Sequence, residues 1–522
     1  MNKSPIEHIL VVGGGSAGFL AAITLKTKFP QIKVDLLRSP EIGIIGVGEG
    51  TTPTVPVHLF GYLGIDPAEF YREANPMWKL GLKMLWGPRP YFNYTFTEQT
   101  SKWPEGLSRP SGFYADEEFS YMDVNSSMMS EGKVFRKTPD GDPIIVGDFG
   151  YHVENELFVG FLEKHAVRVG INIIDATITT IDRDDHGVTA VHTESGQSLS
   201  ADFYVDCSGF RALLIGQTMG VPFDSFNQTL FCNRAVVGGW NRRPNEPIKP
   251  YTTVETMECG WCWQIEHEHR IIRGYVYSSS FITDEAAEAE LRQKNPQIGS
   301  TRIVPFSPGR RREAWQGNVI AIGNAGGFVE PLEATALSGI CWQVRTLTEY
   351  LGTVKLQPTE SVARRYNKAD GLQWDETRDF LGVHYKFNTR IDNEFWRTCH
   401  TKTNIDGVKQ LVDYYLDNGP TLYGQEMFTG GTTNYGIEGY LTMLVGQKVP
   451  HNMAFQPSSQ ERERWNQMRM HNKQTVLAKT VTVEEALKEI RSPEWTWTPG
   501  FYKQLMNSGQ RFSSGQTPHF MG

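Results

Sequence analysis

The chain has 522 residues, of which 39% are hydrophobic, so it is long enough to bury one large core or several smaller ones. Its formal net charge of −8 provides no basic surface for nucleic acid, and no apolar run approaches the roughly 20 residues that span a bilayer. The first predicted strand begins almost at the N-terminus, leaving no room for a signal peptide, and a cytoplasmic protein is expected.

An apolar run, His8–Val12, leads directly into Gly13-x-Gly15-x-x-Gly18, and a helix-forming segment follows. Gly13 permits a tight strand-to-helix turn, Gly15 lets the backbone approach a pyrophosphate, and Gly18 lets the helix pack closely on the strand. The N–H groups at the helix start then face the phosphates. With a strand before it and a helix after it, the motif predicts a dinucleotide site rather than a purely structural turn.

The second predicted strand, Lys33–Leu37, ends at Arg38, where the dinucleotide fingerprint expects an acid that binds ribose hydroxyls. An arginine would instead accept a 2′-phosphate, which favours NADP, or lie against an adenine ring. The fingerprint alone therefore leaves NADP and FAD open.

The next stretch combines a glycine-rich segment, a helix start and an alternating pattern. The segment from Gly43 to Pro53 cannot sustain a helix or an ordinary strand and is expected to lie as a backbone strap against a flat ligand. The sequence at 66–69, an Asp followed by Pro and then Glu, predicts a helix N-terminus. From residue 78 to 86 the apolar residues alternate, which predicts a strand with Lys79 on its polar face.

Later segments predict further strands and then helices. Residues 171–206 contain apolar runs separated by turn signals, which predicts antiparallel strands. Another glycine-rich segment follows the predicted strand at 318–322. Beyond about residue 375 the chain has mostly helical character, with a capping box at 482–485. Since no second strand–GxGxxG–helix unit exists, the chain has no obvious NAD(P)H domain.

Among the 6 cysteines, only Cys259 and Cys262 form a close pair. A redox dithiol and ordinary reduced thiols are the alternatives, and a cytosolic chain favours reduced thiols. No second Cys or His pair lies at zinc-binding spacing, so no metal site is expected.

Taken together, these motifs resemble those of the flavin-dependent halogenases of the tryptophan-halogenase family, over essentially the whole chain. The motifs are the N-terminal fingerprint, Gly46-Val47-Gly48-Glu49, Trp78-Lys79-Leu80-Gly81, Trp261-Cys262-Trp263-Gln264-Ile265, Phe328-Val329-Glu330-Pro331-Leu332-Glu333 with Ala334-Thr335, His384-Tyr385 and Arg390–Trp396. The resemblance implies an α/β fold with a single Rossmann-type FAD-binding domain of the glutathione-reductase or hydroxylase type, an antiparallel sheet and a mostly helical C-terminal region. We predict an FAD-binding core with the substrate-side sheet at 1–375 and a helical subdomain at 376–522.

The resemblance also implies a reaction. Reduced FAD, oxygen and a chloride or bromide ion give hypohalous acid, which passes to a lysine beside an electron-rich aromatic substrate for electrophilic substitution. The family's lysine corresponds to Lys79 and its catalytic glutamate to Glu333, and the backbone around Thr335 and Ala336 would hold the halide. The expected flavin-binding residues are Gly13, Gly15, Ser16, Ala17, Gly18, Arg38, Gly48, Glu49, Gly323, Asn324 and Leu337.

Several of these residues have simpler interpretations. Lys79 on the polar face of a strand is ordinarily a solvated lysine, and Glu333 could merely complement a helix dipole. Glu49 either contacts the cofactor or only holds loop amides. The aromatic block formed by Trp261, Trp263 and Ile265 is expected to shield the flavin from organic substrate, without a catalytic role.

The chain departs from the family at informative positions. Glu266 stands where the aromatic block usually ends in proline, Ala334 where serine is common, and Ala336 where glycine is frequent. Residues 92–96 replace an aromatic–His–x–Phe run of tryptophan-specific members, and no Tyr-Tyr-rich segment that grips an amino acid is recognised. Because an unpaired buried zwitterion is costly, a small neutral indole or another electron-rich arene is expected rather than free tryptophan.

Two alternatives from other functional classes remain at this point. One is a single-component aromatic hydroxylase that consumes NAD(P)H and ignores halide; the other is a flavin-binding protein without turnover. The halogenase hypothesis is preferred because a binding protein needs neither Lys79 nor Glu333. It implies a separate flavin reductase as partner, with no nucleic acid or membrane, and leaves a monomer and a homodimer open.

Overall fold

A computed structural model describes residues 5–43, 48–115, 119–427 and 435–497, without the side chains of residues 425 and 426. The chain divides into two compact units. Unit 1 comprises Met1–Asn75, Val153–Asn227 and Phe306–Asp375, and unit 2 comprises Pro76–His152, Gln228–Pro305 and Glu376–Gly522. Residues 1–375 are shared between the two units, because strands distant in sequence pair with one another, and residues 376–522 belong to unit 2.

Unit 1 contains a mostly parallel sheet. Its strands, in spatial order, are Asn172–Asp175, Lys33–Arg38, His8–Val12, Phe203–Asp206, Val319–Ala321 and Trp315–Gln316. All neighbours in this order pair in parallel except the last two, which are antiparallel. The longer helices of this unit are Ser16–Lys28, Pro67–Glu73, Asn155–Arg168 and Ala336–Thr353. This arrangement confirms the predicted Rossmann-type fold.

The prediction of antiparallel strands over residues 171–206 is only partly correct. The middle strands, Ile178–Asp184, Gly187–Thr193 and Ser198–Leu199, are antiparallel. Asn172–Asp175 and Phe203–Asp206 instead join the parallel sheet. The turn signals correctly mark the hairpins between the middle strands. The alternating apolar pattern of the two outer strands does not indicate which strands they pair with.

Unit 2 contains the predicted antiparallel sheet. Its strands, in spatial order, are Thr301–Pro305, Arg234–Asn241, Arg270–Tyr277, Gly260–Glu266, Thr252–Met257, Gly81–Leu85 and Phe92–Thr95. Only the pair formed by Thr252–Met257 and Gly81–Leu85 is parallel. The strand Met77–Lys79 is separate and pairs antiparallel with Gly150–Val153, so the alternating run from 78 to 86 is interrupted at Leu80.

Shorter strands and helices complete both units. The remaining strands are Glu49–Gly50, Phe135–Lys137, Pro143–Ile144, Phe223–Ser225, Gly309–Arg311, Gly327–Phe328 and Thr480–Val481. The remaining α-helices are Thr54–Pro56, Val124–Ser130, Asp284–Lys294, Glu360–Lys386, Glu394–Lys402, Lys409–Asn418, Gly436–Gly446, Ser459–Lys479 and Val483–Ile490. Short 3-10 or π segments are Val57–Tyr62, Ser111–Tyr114, Gly209–Arg211, Leu213–Thr218, Gly323–Ala325, Pro331–Glu333, Asp406–Val408 and Leu422–Met427.

The predicted helix starts are confirmed. The Asp66 carboxylate accepts a hydrogen bond from the Ala68 N–H at 3.0 Å, and Thr482 and Glu485 form a capping box. The C-terminal region has the predicted helical character. Within the described ranges, every helix is too short or too polar to cross a membrane.

Candidate active site

The glycine fingerprint of unit 1 has the geometry that a pyrophosphate requires. Gly13 has φ +130°, and a Cβ there would lie 2.1 Å from the Cys207 carbonyl oxygen. A Cβ on Gly18 would lie 1.8 Å from the Gly13 carbonyl oxygen, whereas a Cβ on Gly15 would meet no atom within 4 Å. The open space at Gly15 lies where the helix Ser16–Lys28 begins, and its first N–H groups have no partner within the helix. The turn therefore fits a dinucleotide phosphate.

This contrast predicts separable effects of two alanine substitutions. Gly18→Ala should lower the free energy of unfolding by about 1–3 kcal/mol, because the added Cβ forces the backbone apart. Gly15→Ala should leave the melting temperature of the flavin-free protein unchanged, because Gly15 has ordinary extended dihedrals and free space. It should still weaken FAD binding by at least about tenfold, since its Cβ occupies the phosphate's approach. Thermal unfolding and a flavin fluorescence titration measure the two effects, and unchanged FAD affinity in Gly15→Ala would contradict the assignment.

Arg38 already has two acidic partners. Its guanidinium makes a bidentate ion pair with Glu163, with both N···O distances 2.8 Å, and its Nε donates to Asp175 at 2.6 Å. The Glu163 and Asp175 hydrogen bonds hold the pKa of Arg38 above its usual value. These carboxylates neutralise the arginine, which argues against a 2′-phosphate and leaves packing against an adenine ring as its proposed role.

The predicted strap is only partly described, since Gly46 and Val47 lie outside the described residues. Gly48 is buried with φ +68°. Glu49 accepts a hydrogen bond from the Asn155 side-chain amide at 2.6 Å, and burial raises the pKa of its carboxyl. A buried carboxyl such as that of Glu49 can form a hydrogen bond with a polar group of a bound ligand.

The end of the strap contacts the helix that begins at the predicted halide residues. The Thr52 and Ser338 hydroxyls are hydrogen-bonded at 2.6 Å. Unit 1 therefore brings the strap and the start of the helix Ala336–Thr353 together.

The third glycine cluster lies next to the fingerprint helix. Gly323 has φ +67°, and its N–H donates to Gln343 Oε1 at 2.9 Å. A Cβ on Gly323 would lie 3.1 Å from the Cβ of Ala17. Asn324 follows in the same short turn and is half-buried. Two predicted flavin-binding residues from distant parts of the chain, Ala17 and Gly323, therefore lie next to each other in unit 1.

Glu333 ends a 3-10 turn directly before a long helix. Its side chain is buried, and Ala334 behind it is left-handed with φ +56°. Thr335 is the N-cap but makes no side-chain capping bond, and Ala336 at the helix start is exposed while Leu337 is buried. Backbone N–H groups at such a helix start favour anions, as the predicted halide loop requires.

In unit 2, Lys79 is completely buried. Its relative exposure is 0%, which excludes the interpretation as a solvated lysine. Its Nζ lies 5.4 Å from the centre of the Phe96 ring, a cation–π distance. The strand that carries Lys79 is covered on both faces, because Trp78 packs against Phe135 on the other side. The contact between Phe96 and Lys79 was not predicted, although Phe96 belongs to the run at 92–96 that departs from the family pattern.

His152 is a second residue that sequence reasoning missed. It lies on the strand paired with Met77–Lys79 and is completely buried. Burial, together with the charge of Lys79, lowers the pKa of His152 well below its usual value. No local motif surrounds this histidine, so its proximity to Lys79 was not predictable.

The predicted aromatic block forms a fully buried strand, Gly260–Glu266. The Trp261 and Trp263 rings have their centres 5.8 Å apart, and the Trp263 ring lies so close to Gly274 that a Cβ there would be 2.0 Å from it. Ile265 is equally buried. These residues form a rigid apolar wall, as a shielding role requires.

The paired cysteines are not a reactive dithiol. Both thiols are free, Cys262 is buried, and Cys259 is half-buried. Burial raises the pKa of Cys259 to about 11 and also raises the pKa of Cys262, so both thiols stay protonated at neutral pH.

The fold and the fingerprint define an FAD-binding enzyme with a single Rossmann-type sheet. The model of the family "Tryptophan halogenase" matches residues 8–461. The chain belongs to the tryptophan halogenase family and is a flavin-dependent halogenase.

Individual relatives agree with this family. The chain is 33% identical over 450 residues to tryptophan 7-halogenase KtzQ of Kutzneria sp. (strain 744), covering 80% of this chain and 82% of that protein. It is 32% identical to tryptophan 6-halogenase ThaL of Streptomyces albogriseolus, covering 87% and 92%. Among solved structures, MibH, a lanthipeptide tryptophan 5-halogenase, is 35% identical with a TM-score of 0.85, covering 94% of this chain and 95% of that one.

Proposed function

We propose that this halogenase substitutes a halogen for hydrogen on an indole ring that carries no free α-ammonium group. Lys79 presents the electrophilic halogen to the ring, and Glu333 accepts the ring proton. The observation that carries the proposal is the complete burial of Lys79 against the Phe96 ring. An aromatic wall beside an enclosed amine suits a flat apolar substrate.

The overall reaction balances with reduced flavin as the electron source. One arene, one halide ion, one proton, one oxygen molecule and one two-electron-reduced flavin give the haloarene, two water molecules and oxidised flavin. Bound FAD would supply the electrons that reduce oxygen. The fingerprint glycines, Gly48, Glu49 and the turn at Gly323 would hold it, and a separate reductase would deliver it reduced.

Lys79 would take up or hydrogen-bond the electrophilic halogen through its amine. Because the amine is enclosed, water has little access to the halogen that it holds, so the halogen reacts with the arene instead. Glu333 would act as the general base that removes the ring proton once the carbon–halogen bond has formed. Thr335 and Ala336 would bind the halide through the helix start.

Two carboxylates that contact the segment after Phe96 already bind the protein's own donors, which supports a substrate without a free ammonium group. Glu438 accepts hydrogen bonds from the backbone N–H groups of Gln99, Thr100 and Ser101, at 3.0, 2.8 and 2.8 Å. Asp123 accepts from the Thr97 hydroxyl and from the Ser126 N–H. Both carboxylates therefore hold the segment after Phe96 in place and are committed to the protein's own donors.

A second candidate substrate is tryptophan within a peptide, which also lacks a free α-ammonium group. The similarity to MibH, a lanthipeptide halogenase, favours it. A peptide would present the same indole ring to Lys79 while its backbone stayed outside.

A product panel tests the proposal. The protein is incubated with FAD, a flavin reductase, oxygen and either chloride or bromide, with indole, free tryptophan or a tryptophan-containing peptide as substrate. Mass spectrometry should show a halogen isotope pattern, with kcat/KM for indole at least about tenfold above that for free tryptophan, because an unpaired zwitterion is costly to bury. A preference for the peptide over indole would establish the second candidate.

Other outcomes would overturn parts of the proposal. A preference for free tryptophan would contradict the substrate class. Oxygenated product that forms regardless of halide would contradict halogen transfer itself.

A further inference from the structure

His152 and Lys79 lie on one face of a two-stranded ladder. Lys79 pairs with Gly150 and Met77 pairs with His152 in an antiparallel register. Side chains alternate along both strands, so Lys79 and His152 are diagonal neighbours, and Gly150 places no side chain opposite Lys79. Trp78 and its partner Tyr151 face the other way.

Both imidazole nitrogens of His152 have a partner. The backbone N–H of Glu266 donates to Nδ1 at 3.3 Å, and Nε2 lies 2.7 Å from the Thr252 hydroxyl oxygen. A nitrogen that accepts a backbone N–H carries no proton of its own, so the proton is on Nε2 and is donated to Thr252. The imidazole is therefore neutral and oriented.

The donor of this hydrogen bond is the backbone N–H of Glu266, the last residue of the strand Gly260–Glu266. A proline at this position would have no N–H to donate. The Glu266 carboxylate is itself buried and paired, with Arg242 at 2.6 Å and the Gln264 amide at 2.7 Å. Glu266 thus supplies a backbone donor to His152, while its own side-chain carboxylate is held by Arg242 and Gln264.

We propose that His152 is a positioning residue for Lys79, and that the Glu266 N–H and the Thr252 hydroxyl hold it as the neutral Nε2–H tautomer. An uncharged, fixed imidazole confines Lys79 without adding a second positive charge beside it. A protonated or rotated His152 would repel the lysine ammonium and displace the amine from the substrate ring. This inference rests on the proposed role of Lys79.

The charged groups that face His152 favour its neutral form. Burial has the largest effect in lowering the pKa of His152, and the charges of Lys79, His267 and Arg242 lower it further, whereas the hydrogen bond with the Glu266 backbone acts in the opposite direction. Burial and the neighbouring arginines also lower the pKa of His267, to about 3. The Glu266 carboxylate is occupied by Arg242 and Gln264. His152 therefore gains its proton only in acid, well below the usual histidine range.

Substitutions of His152 and Thr252 test the inference in the flavin-loaded enzyme. His152→Phe and Thr252→Val should each lower kcat for arene halogenation about tenfold, with KM within about twofold, because His152→Phe removes both oriented hydrogen bonds and Thr252→Val removes one. His152→Gln should recover most of the rate, since its amide both donates and accepts. Oxidation of reduced flavin should stay unchanged in all three variants, and the melting temperature should fall more in His152→Phe than in His152→Gln, because Phe keeps neither buried hydrogen bond.

A matched pair at position 266 tests the added donor. Glu266→Gln removes the carboxylate charge but keeps the N–H, whereas Glu266→Pro removes both. Only Glu266→Pro should show the loss in kcat, and combining it with His152→Phe should add no further loss.

The outcomes separate this inference from the proposed function. A wild-type enzyme without halogenated product, or an active Lys79→Ala variant, would contradict the proposed function. If wild type is active and Lys79 essential, wild-type kcat in His152→Phe would overturn the inference. Equal losses in His152→Phe and His152→Gln with a lower melting temperature would show a purely structural histidine and also overturn it, as would identical behaviour of the two Glu266 variants.

Discussion

Lys79→Ala is expected to lower arene halogenation by at least about 10²–10³-fold, because it removes the group proposed to present the halogen in an enclosed site. Oxidation of reduced flavin should continue, since Lys79 lies in unit 2 and the predicted flavin-binding residues lie in unit 1. Halogenated product by mass spectrometry and flavin reoxidation by absorbance measure the two activities in the same sample. Retained halogenation in Lys79→Ala would show that the lysine assignment is wrong.

Lys83 provides a matched control on the neighbouring strand. Its ammonium lies 4.0 Å from the centre of the Tyr91 ring and 5.6 Å from that of Tyr251, and burial lowers its pKa. Like Lys79, Lys83 is a lysine that lies near aromatic rings, but the rings are those of other residues. Lys83→Ala should keep halogenation within about threefold of wild type, as expected for a cation–π contact outside the reaction. A comparable loss in both variants would point to general destabilisation instead.

Local turn chemistry made the FAD-binding half of the fold predictable. Gly18 is required by its close approach to the Gly13 carbonyl oxygen, five residues earlier, and Gly13 by its positive φ, and a sequence pattern reports such local needs directly. The caps at Asp66 and Thr482 are equally local, and both helix starts were predicted correctly.

Features that depend on distant pairing were not predictable. An alternating pattern identifies the face on which Lys79 lies, but not that this face is covered. The strand Phe203–Asp206 pairs in parallel with His8–Val12, nearly 200 residues earlier, and no turn signal records that partner. For the same reason the segment 76–152 belongs with 228–305 and not with the fingerprint.

The buried network around His152 illustrates the same limit within the site. Its partners, Thr252 and Glu266, come from different strands of the sheet, and each is unremarkable in its own sequence context. The only sign of this network in the sequence was Glu266, which stands where the family pattern has proline. The sequence does not show that the Glu266 backbone N–H points at His152. The structure therefore gives Glu266 a specific, testable contact, its backbone hydrogen bond to His152.

Glu333→Gln is expected to lower kcat for halogenation by about 10²-fold or more while halide-independent flavin oxidation persists, because the amide cannot accept the ring proton. Glu333 is buried at the end of a 3-10 turn, before the helix that begins at Ala336. Carboxylates that only complement a helix dipole lie within the first turn of the helix, so Glu333 differs from them in position.

Glu349→Gln, the same change at an exposed position on that helix, should leave kcat unchanged. Glu333→Asp should keep part of the activity, since it retains the base and shortens its reach. Wild-type kcat in Glu333→Gln would assign the ring proton to another acceptor, whereas a fall in melting temperature matching the loss of activity would indicate that the carboxylate serves only to hold the turn.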